Sequence, residues 1–264
     1  MQDLKLALVQ SDIVWENVPE NLKALDRLLD HASGKTDVIV LPEMFNTGFT
    51  RNVDKCAEHM GGRTLEWMKL KAGEKDSVVA GSVLTEVDGR YFNRFYWVRP
   101  DGSYDTYDKR HLFSRAGEHL TMSAGTQRKI VHHKGWNICL MVCYDLRFPV
   151  WSMNRFKDGR YEFDVIIYIS NWPEVRREAY LRLLPARAIE NQSYVVWVNR
   201  TGKDGNGVAH SGDSLTVDPR GDMIVRAEGN REKILETLLP AKKLTEYRAS
   251  FQLGPDWDIF TIIT

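Results

Sequence analysis

Residues 138–149, Ile138-Cys139-Leu140-Met141-Val142-Cys143-Tyr144-Asp145-Leu146-Arg147-Phe148-Pro149, decide how this chain is read. The first five form an unbroken apolar run, which predicts a buried strand. The run stops at Cys143 and passes into a polar, charged turn. Pro149 then suits the first turn of a following helix, expected from about Val150. A cysteine at that junction sits at the end of a rigid strand and near a helix N-terminus, and both conditions favour a reactive thiolate. The ordinary alternative is a buried, inert cysteine.

Outward from this stretch the chain alternates strands and helices. On its N-terminal side, Leu4 to Gln10 reads as a first strand, and Pro19 opens a helical pattern with Leu22, Leu25, Leu28 and Leu29 on one face. Asp37 to Leu41 is a buried strand ended by Pro42 and followed at once by Glu43. Thr64 to Ala72 reads as a helix. Ser77 to Thr85 and Asn93 to Arg99 read as neighbouring strands, followed by Ser103 to Lys109. On the C-terminal side come the strand Asp164 to Ile169, a helix from Arg176 to Asn191 and the strand Tyr194 to Asn199. A glycine-rich loop, Gly202 to Gly212, precedes the strand pair Ser214 to Asp218 and Asp222 to Ala227. No linker or repeat interrupts this, so one continuous α/β domain over residues 1–264 is expected. Adjacent hairpins argue against a purely parallel sheet, whereas two packed sheets with helices outside accommodate them.

Composition narrows the partners. Thirty-six basic and thirty-six acidic side chains give no formal net charge, so neither nucleic acid nor an anionic membrane is an expected partner. No apolar run approaches membrane-spanning length, and the N-terminus shows no secretory signal. The three cysteines, Cys56, Cys139 and Cys143, lack disulfide spacing, and free thiols in a cytoplasmic protein are the natural reading.

Several chemistries are absent from the motif set. No H-E-x-x-H or Cys/His zinc spacing occurs, and His132-His133 would point to opposite faces of a strand. There is no G-x-S-x-G elbow, and His210 stands where a dinucleotide fingerprint needs its third glycine. A Cys-His pair using His111, His119 or His210 has no local signature. What remains is Glu43, Lys109 and Cys143, each at the end of a strand. A carboxylate after a buried strand can act as a general base, and a fixed ammonium can stabilise an oxyanion. Each residue also has an ordinary reading: Glu43 as a helix cap, Lys109 as a solvated charge between Asp108 and Arg110.

Taken together, Leu41-Pro42-Glu43-Met44-Phe45, Tyr107-Asp108-Lys109-Arg110-His111-Leu112-Phe113 and Val142-Cys143-Tyr144-Asp145-Leu146-Arg147-Phe148-Pro149 resemble the three motifs of the nitrilase superfamily, in the same chain order. The resemblance extends to Ser170-Asn171-Trp172-Pro173 and to residues 186–192, and is strongest to the bacterial omega-amidase branch. It implies a four-layer α-β-β-α sandwich, a homodimer, and no metal or organic cofactor. It implies release of ammonia from short dicarboxylic acid monoamides, such as 2-oxoglutaramate and succinamate, through a thioester on Cys143. It also implies Glu118 as a second glutamate orienting Lys109, with the backbone N–H of Tyr144 beside Lys109 at the oxyanion. Rivals are a nitrilase, an N-carbamoyl amide hydrolase, or a non-catalytic protein on the same fold. For the substrate carboxylate the guanidiniums of Arg147 and Arg187 are candidates, with Trp172 as a pocket wall. Arg147 has a competing role, pairing with Asp145 to brace the turn. The apolar segment Trp257, Ile259, Phe260, Ile262 and Ile263 is expected to pack on its own core or on a second subunit.

Overall fold

The computed structural model describes residues 1–30 and 34–263. Two sheets lie at its centre. The first joins β1 (Leu4–Gln10), β2 (Val38–Val40), β3 (Val78–Val87), β4 (Arg90–Val98), β5 (Tyr104–Asp108) and β12 (Lys233–Leu239) in the order β12-β1-β2-β3-β4-β5, with the short strand Glu58–His59 beside β3. The second joins β6 (Lys129–His133), β7 (Trp136–Val142), β8 (Val165–Ser170), β9 (Tyr194–Asn199), β10 (Leu215–Val217) and β11 (Met223–Arg226) in the order β11-β10-β9-β8-β7-β6. The middle of each sheet is parallel, β1-β2-β3 and β7-β8-β9, and the flanking strands are antiparallel.

The period-two alternation of a strand explains the layering. In β1, Leu4, Leu6 and Leu8 join one core cluster with Val38, Val40, Trp97, Ile138, Leu140 and Val142, which fills the space between the sheets. Ala7 and Val9 point the other way and pack with Leu22, Leu25 and Leu29 of α1 (Val18–Asp30) and with Leu65 and Met68 of α2 (Arg63–Lys75). Tyr180, Leu184 and Ala188 of α3 (Arg177–Asn191), with Leu244 of α4 (Ala241–Ser250), cover the second sheet. Each fully buried leucine stabilises the fold by roughly 1.5–3 kcal/mol. The result is the α-β-β-α sandwich expected from the sequence.

Local readings differ in three places, and the apolar C-terminal segment packs in part on its own chain as expected. The helix expected from Val150 is a single turn, Pro149–Ser152, after which Met153 turns extended and the chain enters a hairpin around Asp158-Gly159, both at positive φ. The ends of the glycine-rich loop pair as a hairpin, Thr201–Lys203 with Ala209–Ser211. The strand β12 and the helix α4 were not read from the sequence. In that C-terminal segment Trp257 sets its edge on Tyr161, Arg155 lies over Phe260, and Ile262 packs on the core, while Ile259 and Ile263 remain exposed.

Candidate active site

Strands of both sheets end at one cavity of about 890 Å³. Glu43 reaches it three residues beyond β2, Lys109 directly after β5, and Cys143 directly after β7. Met44, following Glu43, and Cys143 itself both take left-handed backbone angles, φ 44° in each case. A non-glycine residue there costs on the order of 1–3 kcal/mol, which the packed strands must overcome to present these side chains at sharp bends. Cys143 opens a short 3₁₀ turn, Cys143–Arg147, in place of the α-helix whose dipole the sequence suggested for the thiol.

The Lys109 ammonium lies 2.9 Å from Glu43 Oε1 and 3.0 Å from each Glu118 oxygen, and all three side chains are almost wholly buried. Burial works against the Lys109 charge, but the carboxylates of Glu118 and Glu43 more than reverse this and hold its pKa above the ordinary value. Burial raises the Glu118 carboxyl despite the facing Lys109. Glu43 Oε1 also accepts from Asn93 Nδ2 at 2.8 Å, and Oε2 accepts from the Asn171 backbone N–H at 2.8 Å. Asn171 in turn donates its side-chain amide to the Glu43 carbonyl. The Glu43 carboxylate is therefore held on both oxygens.

Cys143 is 8% exposed, enough to open onto the cavity. Burial, and next the Glu43 carboxylate beside it, push its thiol well above the ordinary range, with Lys109 and the Ser170 hydroxyl opposing. Burial and the Glu43 charge therefore work against the preformed thiolate suggested by strand end and helix dipole. Ser170 Oγ, at the end of β8 and fully buried, donates to Sγ at 3.1 Å.

Asp145 ties the Cys143 turn to the Lys109 strand. Its oxygens accept from Tyr107 Oη at 2.7 Å, from the Val142 N–H at 3.0 Å and from the His111 N–H at 3.0 Å, with His111 Nδ1 at 2.8 Å. Arg147 therefore does not brace Asp145: these groups occupy the carboxylate, and Arg147 instead lines the cavity with its guanidinium 4.7 Å from the Trp172 ring centre. Trp172 is a cavity wall, and Tyr144 lines the cavity too. Arg187 is corrected outright. It sits outside the cavity lining, with Nε and Nη2 donating to the Leu146 carbonyl at 3.2 and 2.8 Å and Nη1 paired with Glu190 at 2.9 Å. Sequence reading missed Asn93, which no motif marks, and Arg176, hidden as the first residue of a helical pattern. Among the described residues, no group of three or more His, Cys, Asp or Glu side chains is placed to hold a metal ion.

A thiol, a clamped carboxylate and a buried ammonium converging on one cavity are the groups that a cysteine-dependent hydrolase requires. The chain belongs to the carbon-nitrogen hydrolase family, whose model matches residues 5–249. It is 42% identical to the omega-amidase YafV of Escherichia coli K12 over 99% of this chain and all of that one. It is 33% identical to the 2-oxoglutaramate amidase of Bacillus subtilis 168, covering 95% of this chain and 96% of the relative. Among solved structures, Xanthomonas campestris XC1258, a CN-hydrolase superfamily protein with an arsenic adduct in its active site, superposes with a TM-score of 0.96 at 41% identity, covering 99% of this chain and 100% of that one.

Proposed function

We propose that this chain is an omega-amidase, releasing ammonia from the terminal amide of short dicarboxylic acid monoamides such as 2-oxoglutaramate and succinamate. The observation that carries the reading is the Glu43–Lys109–Glu118 row beside the Cys143 thiol, in a chain akin to proteins named omega-amidase and 2-oxoglutaramate amidase. Glu43 takes the thiol proton as Sγ bonds to the amide carbon. The Lys109 ammonium and the Tyr144 N–H hold the oxyanion. Glu43 returns the proton to nitrogen, the C–N bond breaks and ammonia leaves. Glu43 then deprotonates water, which attacks the thioester; the C–S bond breaks, the acid departs and the sulfur is reprotonated. Glu118 keeps Lys109 in place. No cofactor enters this sequence of steps.

Residues 1–264 act in this reading as one domain, in the cytoplasm, where three free thiols stay reduced. No helix among the described residues is long and apolar enough to cross a membrane. The exposed Ile259 and Ile263, beside a partly packed Trp257, favour a homodimer that covers them. The test is ammonia release from a panel of amides and nitriles. We expect succinamate to exceed butyramide, its uncharged equivalent, by at least about a hundredfold in kcat/KM. Equal rates would remove the omega-amidase assignment, and faster turnover of a nitrile than of its amide would favour a nitrilase.

A further inference from the structure

The cavity carries positive charge that the catalytic row does not use. Arg147 and Arg176 both line it and both are half-buried. Several sheltered guanidiniums elsewhere meet carboxylates, Arg94 with Asp108, Arg187 with Glu190, Arg200 with Asp12 and Arg248 with Asp164, whereas Arg110 donates to the Gly125 carbonyl. Among the described residues Arg147 and Arg176 have no such partner. Each instead lies over an aromatic ring of the cavity, Arg147 over Trp172 at 4.7 Å and Arg176 over Phe113 at 5.1 Å. Burial works against the Arg176 charge, and the positive fields of Arg147 and Arg115 add to this, while Cys143 lies near enough to act the other way. Asp204 also lines the cavity, but its Oδ1 is engaged by the N–H groups of Asn206 and Val208.

Two half-buried guanidiniums facing one space, with no carboxylate bonded to either, offer an anion charge-assisted hydrogen bonds. Contact with the Trp172 and Phe113 rings limits the freedom of both side chains, so less is lost on binding. We propose that Arg147 and Arg176 form a clamp for the non-reacting carboxylate of the substrate, and that this clamp determines its specificity. The inference rests on the omega-amidase reading. It places the substrate between a cationic end and the Cys143 end of one cavity, so selection falls on chains with an amide at one terminus and a carboxylate at the other. A site built on such donors rejects the neutral analogue because its own charges are then left unpaired.

The test uses the full-length protein with Arg147→Gln, Arg176→Gln and Arg176→Lys, assayed on succinamate and butyramide, with succinate as a competing ligand. In the Gln variants the succinamate-to-butyramide ratio of kcat/KM should collapse from at least about a hundred to below about ten. Succinate should inhibit at least about tenfold more weakly, and Arg176→Lys, which keeps charge without the fork, should fall between. A wild type with no preference for the charged amide overturns the omega-amidase reading and the clamp with it. A wild-type preference that both Gln variants retain overturns the clamp alone. Equal losses on both substrates, with succinate inhibition unchanged, also overturn it, because they would mark these arginines as structural.

Discussion

Replacing Lys109 with methionine would separate the electrostatics of this site from its packing. The ammonium stands between two carboxylates, 2.9 Å from Glu43 and 3.0 Å from Glu118, and no part of the row is more than 1% exposed. Removing one member of a buried ionic group costs about 3–5 kcal/mol, against a total stability on the order of 5–15 kcal/mol. Without the ammonium, two carboxylates that share Asn93 as a donor cannot both stay ionised, so one retains a proton. Burial already raises the Glu118 carboxyl, and removal of the facing cation raises it further. The sign follows from linkage. A carboxyl whose folded pKa lies above its unfolded value of about 4.3 keeps a proton that the unfolded chain releases. Wild type and variant both lose stability on this account above about 4.3, but the variant, raised further, goes on losing it at pH values where the wild type has released the proton, by up to about 1.4 kcal/mol per pH unit. Urea unfolding between about pH 5 and pH 8 reads this directly, and ammonia release should fall at least about a hundredfold. Adding Glu118→Gln should recover much of the stability and none of the activity. A Lys109→Met protein that unfolds at the wild-type urea concentration throughout this range would refute the argument.

Other expectations follow from single contacts. Cys143→Ala should abolish turnover and leave the unfolding midpoint unchanged within error, and a tenth of the activity remaining would displace Cys143 as nucleophile. Iodoacetamide should modify Cys143 far faster than Cys56 or Cys139, because Cys143 lines the cavity beside Glu43, which can take its proton, and the other two do not; equal rates would sink the idea of an activated cysteine. Ser170→Ala removes the hydroxyl that donates to Sγ, so the pH curve for Cys143 alkylation should move upward by about one unit, and an unmoved curve would deny Ser170 any part in supporting the thiolate. Burial opposes the charge of Asp213, but Arg177, Arg226, Ser211 and Tyr180 hold its carboxyl well below the usual range. Asp213→Asn should therefore cost about 3 kcal/mol near neutral pH. The gap should narrow as pH falls below about 4, because the unfolded chain then takes up a proton at Asp213 that the folded wild type does not, which removes the same stabilisation; a gap constant with pH would contradict the assignment.

The site was legible where its residues follow strands in short, ordered motifs. Leu41-Pro42-Glu43, the Tyr107 to Phe113 segment and the Cys143 stretch each carry an apolar run that stops at a chemically active side chain, and β1 and β9 have the expected bounds. Partners brought in from distant sequence were not legible. The sequence offers Arg147, two residues away, as a partner for Asp145, because nothing in it shows that Tyr107 and His111 fold over the carboxylate from the other sheet. Asn93 sits in mid-strand, and only sheet pairing puts it beside Lys109, whose N–H donates to its carbonyl at 3.0 Å. Arg187 lies in a motif of the family resemblance, but its face of α3 turns to the Leu146 carbonyl. The helix-dipole argument for Cys143 failed on length, because a five-residue 3₁₀ turn and a single α-turn follow it.

The pairing of β12 with β1 has a consequence for the order in which the molecule can be made. Seven residues of one strand match seven of the other, from Leu4 opposite Leu239 to Gln10 opposite Lys233. On the ribosome β1 emerges first and waits for almost the whole chain before that edge is closed. Until then it offers a row of unpaired amides and carbonyls to any neighbouring extended chain. The cavity itself draws on residues from Glu43 to His210, so no fragment lacking the second sheet holds a complete site. The nascent protein is therefore exposed to intermolecular strand pairing before it has any catalytic capacity. Lys5, the one exposed residue of β1, is the charge that the chain itself sets on that waiting edge.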